Sequence, residues 1–193
     1  TVGPYRVDVI GRNIAGRWQE TSMASESRTW FVNPSLPGIR INEVLARSGS
    51  TEPGVLSSDY VELHNEGDRP FDLSRAQLSD DLAVPNKFVF PQNTIVDPGD
   101  YVLVFADGGL GGSGFHAAFR IDGDGGGIYL RERFSQGQEM LDSIEFGRQL
   151  QDLSLSRTPA GSWALGNPSP SVENDLVPLG ESHLVRINEW LAS

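Results

Sequence analysis

Two aspartates in a glycine-rich run have the residue type and spacing for binding a metal ion. Asp122 and Asp124 stand at positions i and i+2 of Asp122-Gly-Asp-Gly-Gly-Gly127, and carboxylate oxygens on such loops are typical ligands of calcium. An EF-hand loop would continue with an oxygen ligand near 126 and a glutamate near 133, where this chain has Gly126 and Arg133. The same residue types are typical of hairpin turns. The sequence favours a turn and no cofactor, with this pair as the calcium candidates.

A second acidic group consists of Glu43, Asp59 and Glu62. If the first two strands pair, these carboxylates converge, and paired carboxylates are the groups that hydrolyse glycosides. Strand alternation favours a structural interpretation, because Glu62 is opposite in phase to its apolar neighbours and should face solvent. Asn42 and Glu43 are predicted to fix the start of the domain through hydrogen bonds to loop backbone.

Nucleophilic catalysis and phosphate binding find less support. His64, His116 and His183 accompany many serines, but no G-x-S-x-G motif lies between a strand and a helix, and Gly112-Ser-Gly114 alone is too short a signal. The loop Gly108–Gly114 lacks the Lys-Ser/Thr ending of a phosphate-binding loop. The sequence therefore predicts no enzyme.

Tryptophans could stack against sugar rings, but the four are spread along the chain as Trp18, Trp30, Trp163 and Trp190. Packing in a core or between domains is the simpler expectation for each. Trp30 is predicted to lie at the seam between an N-terminal hairpin and the central domain.

Composition restricts the class of protein. The net charge of -11 disfavours binding to phosphate backbones, and the absence of cysteine excludes thiol chemistry. No apolar run approaches the roughly 20 residues of a membrane span. Twenty-two glycines and 12 prolines indicate short strands joined by tight turns, which is an all-β chain.

A repeated phrase marks the domain organisation. Ile39-Arg-Ile-Asn-Glu-Val-Leu-Ala-Arg47 returns as Val185-Arg-Ile-Asn-Glu-Trp-Leu-Ala-Ser193, with six of nine positions identical, and such self-similarity is typical of repeated domains. Four segments are predicted: a hairpin from a preceding sandwich at 1–36, one complete domain at 37–165, a linker at 166–183, and the first strand of a second domain at 184–193. The chain is expected to be a piece of a longer protein.

Short strands separated by turn signals fill the complete domain. Tyr101–Ala106 is almost continuously apolar, which predicts a strand that is buried on both faces. Eight or nine such strands favour an immunoglobulin-like β-sandwich, with a closed barrel as the alternative.

Residues 39–163 resemble the lamin-tail domain in the form found in bacterial surface and secreted proteins. The resemblance rests on a series of motifs in order: Ile41-Asn-Glu-Val-Leu-Ala46, Asp59-Tyr-Val-Glu-Leu-His-Asn65, Phe71-Asp-Leu-Ser74, Leu78-Ser-Asp-Asp81, Phe90-Pro91, Val96–Ala106 and Ser156-Arg-Thr-Pro159. It implies an immunoglobulin-like sandwich that serves interaction rather than catalysis. The N-terminal hairpin resembles the end of a fibronectin type III-like domain.

The resemblance also suggests where such a chain works. Similar bacterial domains occur in tandem in exported multidomain proteins, so a secreted or cell-surface interaction or spacer module is expected, with adjacent domains of its parent chain and an unidentified protein or surface as partners. A calcium- or carbohydrate-dependent adhesion domain is the alternative. Nucleic-acid binding is not expected, because the basic character of the nuclear members is missing here.

Overall fold

The computed structural model describes residues 3–26, 30–32, 38–49, 58–132 and 140–184, with residues 186, 188 and 189. The chain forms two compact units, residues 1–36 and residues 37–193. The described residues form strands and two single turns of 3₁₀ helix, Thr21–Met23 and Ser182–Leu184, with no α-helix among them. The all-β class predicted from the glycine and proline content is confirmed.

The first unit consists of two antiparallel strand pairs. Its strands are β1 (Gly3–Tyr5), β2 (Asp8–Val9), β3 (Ser25–Glu26) and β4 (Trp30–Val32). β1 pairs with β4, and β2 pairs with β3. The side chain of Trp30 lies outside the described part of the structure, so its place at a seam stays a prediction.

The second unit contains thirteen short strands, and most of their connections carry turn residues. They are β5 (Ile39–Leu45), β6 (Tyr60–Asn65), β7 (Phe71–Asp72), β8 (Gln77–Ser79), β9 (Phe88–Val89), β10 (Ile95–Val96), β11 (Tyr101–Phe105), β12 (Phe115–His116), β13 (Gly126–Arg131), β14 (Met140–Phe146), β15 (Ser154–Arg157), β16 (Trp163–Asn167) and β17 (Asp175–Leu176). Before β11, Gly99 adopts φ 81° and the Asp100 N–H donates to the Asp97 carbonyl, as a Pro-Gly turn requires.

These strands build two main sheets around one apolar core. The larger sheet has the order β12-β11-β6-β5-β15-β16-β17, the smaller has the order β14-β13-β8-β9, and β7 pairs with β10 separately. The larger sheet contributes Val61, Leu63 and Val104 to the core, while the smaller contributes Leu78 and Ile128, all of them fully buried. Two layers that share a core form a β-sandwich, which confirms the predicted fold.

A β-bulge in β5 decides which side chains reach that core. Ile41 pairs with Leu63 and Glu43 pairs with Glu62, so Asn42 is an extra residue in the strand. A bulge changes the phase of the strand. Core residues therefore fall at 39 and 41 before the bulge and at 44 and 46 after it, and Glu43 lies on the opposite face of the sheet from Val44.

Two expectations from the sequence are corrected. Residues 166–183 do not form a simple linker, because β16 extends to Asn167 and β17 pairs with it at Asp175. β11 is not buried on both faces, since Tyr101 and Phe105 remain half-exposed while Val104 is buried. Local sequence patterns do not predict either finding. The strand that pairs with β16 and the residues that cover the faces of β11 belong to other segments of the chain. The predicted strand at 184–193 lies largely outside the described residues.

Candidate functional site

Glu43 is completely buried on the outer face of the larger sheet and is surrounded by hydrogen-bond donors. Its Oε2 accepts from the Tyr60 hydroxyl at 2.6 Å, and its Oε1 accepts from the Ser154 hydroxyl at 2.6 Å and the Ser156 hydroxyl at 3.3 Å. The backbone N–H of Ser169 donates to Oε1 at 3.1 Å. Burial, and then the Glu43 charge, raise the pKa of Tyr60 above its usual range, so the phenol remains a donor.

Glu62 lies directly across from Glu43 on β6 and is equally buried. Asn42 Nδ2 donates to its Oε1 at 2.9 Å, and the Ser171 N–H donates to its Oε2. Burial raises the pKa of Glu62 to about 7 against these two hydrogen bonds, and the Glu43 carboxylate adds to the rise. The environment therefore favours the protonated acid at neutral pH far more than water does.

Residues 169–174, here called the covering segment, close this face of the sheet. Ser169 and Ser171 donate to the two carboxylates, and the Asn174 Nδ2 donates to the Asn42 Oδ1 at 3.0 Å and to the Arg157 carbonyl at 2.8 Å. The solvent-facing position predicted for Glu62 is wrong. Its phase opposite the core side chains of β6 is as predicted, but the segment interpreted as a linker covers it.

A second polar contact joins the two sheets next to the bulge. Arg157 of β15 forms an ion pair with Asp142 of β14 at 2.6 Å, with only 7% and 14% of the two side chains exposed. Both side chains also hold β5 at Ile41: Arg157 Nε donates to the Ile41 carbonyl at 2.8 Å, and the Ile41 N–H donates to Asp142 at 2.9 Å. The guanidinium lies 4.4 Å from the centre of the Trp163 ring. Sequence reasoning missed this pair, because no local spacing connects the two residues.

The carboxylates are therefore arranged for stability rather than for glycoside chemistry. A glycosidase needs space between its acid and its base or nucleophile for the substrate, whereas both oxygens of Glu43 and of Glu62 accept hydrogen bonds from protein groups. Asp59, the third predicted member, instead accepts from the Ser48 N–H at 2.8 Å. The predicted structural residues Asn42, Glu43 and Glu62 thus belong to one buried polar network.

The two calcium candidates lie in the turn that leads into β13. Asp122 Oδ1 accepts from the Asp124 N–H at 2.8 Å, and the Asp124 carboxylate forms an ion pair with Arg47. Arg148 approaches the same carboxylate at 3.8 Å. Among the described residues, no group of three or more His, Cys, Asp or Glu is placed to hold a metal ion.

Because Arg47 already neutralises Asp124, millimolar calcium is expected to leave the melting temperature unchanged. An exposed ion pair contributes about 0–1 kcal/mol, so Asp124→Ala should lower stability by no more than that. Thermal unfolding with calcium, with magnesium and with a chelator measures the effect of the ion, and comparison of Asp124→Ala with the native sequence measures the contribution of the ion pair. A calcium-specific rise in melting temperature that disappears in Asp122→Asn would establish a calcium site instead.

The histidine and glycine motifs also have contacts within the protein. His116 Nδ1 lies 2.7 Å from the Asp107 carboxylate, while its Nε2 approaches the backbone carbonyl of Ser113 at 3.4 Å rather than the hydroxyl. The N–H groups of Gly109 and Leu110, which a phosphate would need, donate to Asp107. This carboxylate and His116 therefore fold the glycine-rich loop onto the end of β11.

An open groove of about 500 Å³ lies beside the covering segment. His64 and Tyr101, paired across β6 and β11, stack with ring centroids 4.3 Å apart and planes 9° apart. Both rings line the groove, together with Glu66, Glu173 and Leu176. No sequence pattern indicated this groove, because its residues come from distant parts of the chain.

The fold is a two-sheet sandwich of immunoglobulin type, and its central carboxylates are closed to substrate. Domains of this class typically serve interaction and are generally not enzymes. The chain belongs to the lamin tail domain family: the family model described as Lamin Tail Domain matches residues 33–148, which is more than half of the sequence. The resemblance found in the motifs is thereby confirmed. Comparison with curated proteins finds no match. No described helix is long and apolar enough to cross a membrane.

Proposed function

We propose that this chain is a non-catalytic interaction and spacer module of a bacterial exported or cell-surface multidomain protein. The observation that carries the proposal is the closure of the Glu43–Glu62 network by Ser169 and Ser171. The carboxylates best placed for catalysis serve to anchor the covering segment, while the groove remains open on the surface. The resemblance to bacterial surface and secreted forms supports the location.

The internal repeat supports a tandem arrangement within the parent protein. The six side chains that 185–193 shares with residues 39–47 are all buried or paired in the structure: Arg40, Ile41, Asn42, Glu43, Leu45 and Ala46. The repeat has Trp190 where β5 has Val44, which is 1% exposed. An indole does not fit a valine site without overpacking, so we assign the repeat to a second sandwich rather than to an exchange with β5.

The proposal is tested by screening the purified chain for binding and for turnover in parallel. Arrays of peptides and glycans are probed with and without millimolar calcium, and chromogenic glycosides, esters and phosphates are assayed for hydrolysis. Calcium-independent binding to peptides without turnover is the expected result. Calcium-dependent glycan binding would favour an adhesion domain, and turnover that is lost in Glu43→Gln or Glu62→Gln would show an enzyme.

A further inference from the structure

We propose that the groove beside the covering segment binds an arginine side chain presented by an extended segment of a partner protein. This inference rests on the proposed interaction function and gives that function a site and a partner chemistry. The groove's volume of about 500 Å³ falls within the range of roughly 300–1,000 Å³ that is usual for pockets that take small ligands.

The charge around the groove is negative. Glu66 and Glu173 both line it, and the carboxylates of Glu62, Glu173 and Glu66 all act on Tyr101, whose pKa is raised by burial and then by these charges. Arg157 also lines the groove, but its guanidinium is paired with Asp142. A cationic group is therefore the complement of this surface.

Glu173 is the carboxylate available to a ligand. Glu66 forms an ion pair with Arg40 at 3.2 Å, whereas Glu173 forms no hydrogen bond or ion pair with any other described residue. Glu173 is exposed and belongs to the covering segment, so its position is set by neighbours that bind the buried network. The site thus combines a carboxylate that has no partner in the described part of the chain with a backbone that the buried network holds in place.

The stacked rings select a planar cation. His64 and Tyr101 present a rigid aromatic pair on the sheet, and a guanidinium stacks on such rings better than an ammonium because it is planar and less strongly hydrated. Arg12, whose guanidinium lies 5.4 Å from the centre of the Trp18 ring, shows the same kind of contact elsewhere in this protein. Glu173 lines the same groove as the two rings, so the remaining N–H donors of the arginine are assigned to its carboxylate.

The test is a titration of the full isotope-labelled chain with acetyl-Gly-Ser-Arg-Ser-Gly-amide, followed by NMR. Matched peptides carry lysine, citrulline or glutamate at the central position. The arginine peptide is expected to shift the resonances of His64, Tyr101 and Glu173, with the lysine peptide several-fold weaker and the other two inactive. Binding should weaken as salt increases, because the carboxylate contact is exposed.

Substitutions at single residues test which side chains of the groove contact the arginine peptide. Tyr101→Leu should weaken binding about tenfold, which corresponds to loss of a cation–π contact, while Tyr101→Phe retains the ring and the affinity. Glu173→Gln, at an exposed position, should weaken binding by up to about fivefold. Glu145→Gln removes one exposed charge from β14 of the smaller sheet, whereas the groove lies against the larger sheet, and it is expected to have no effect.

Two results would overturn the inference: no arginine-specific shifts, or shifts that Tyr101→Leu and Glu173→Gln leave unchanged. Melting curves of the variants confirm that they are folded. If the array screen finds a peptide ligand whose binding these variants do not alter, the interaction function stands and the groove assignment fails. If the array finds no ligand of any kind, the proposed function itself fails.

Discussion

Glu43→Ala is expected to lower the free energy of unfolding of the full chain by about 3–5 kcal/mol, because it removes the acceptor shared by several buried donors. The Tyr60 and Ser154 hydroxyls, each 2.6 Å from the carboxylate, would lose this partner inside the protein. The Ser169 N–H would lose the contact that holds the covering segment. A cavity adds to the cost, since the side chain is 0% exposed.

Thermal and urea unfolding measure this effect. For a unit of this size, the loss corresponds to a fall of about 10 °C in melting temperature. Glu43→Gln keeps the volume and one acceptor oxygen, so it should cost less than the alanine variant. Glu145→Ala is the matched control on an exposed strand position, where about 0.5 kcal/mol or less is expected. A Glu43→Ala protein as stable as that control would contradict the anchoring role.

Stability should also fall as pH rises from about 5 to 7, by up to about 3 kcal/mol from Glu62 alone. Burial raises the pKa of this carboxyl to about 7 in the folded chain from an ordinary value of 4.5. Between these values the folded protein holds a proton that the unfolded chain has released. The contribution of Glu62 is therefore complete below pH 4.5 and is lost as pH rises through 7.

Comparison with Glu62→Gln isolates this contribution, because glutamine does not titrate. Urea unfolding of both proteins at several values between pH 5 and 8.5 should give curves that diverge, with the variant gaining on the native sequence as pH increases. Glutamine replaces one acceptor by a donor next to Asn42 and Ser171, which shifts the variant's curve by a constant amount. Parallel curves would show that Glu62 titrates normally and that the face is open to water.

The sequence was informative about the sandwich because its signals are local. Alternation on β6, the Pro-Gly turn at 98–99 and the glycine-rich turn before β13 each depend on neighbouring residues, and the motif order from Ile41 to Arg157 identified the family. The repeat at 185–193 drew attention to Asn42 and Glu43, because the same residue types recur there at positions 188 and 189. The closure of the network that they enter could not be predicted, since the donors Ser154 and Ser169 lie more than 100 positions away from Glu43 along the chain.

The strand phase of Glu62 is determined by the sequence, whereas the burial of its side chain is decided by the tertiary structure. A strand's geometry alone places Glu62 opposite the core side chains, and the sequence by itself determined this. Whether that opposite face meets water depends on what lies over it, and only the tertiary structure decided that Ser169, Ser171 and Asn174 do. The same closure covers the carboxylates and leaves the groove beside them as the accessible surface. The sequence could not predict this, because hydrogen bonds between distant parts of the chain leave no local pattern.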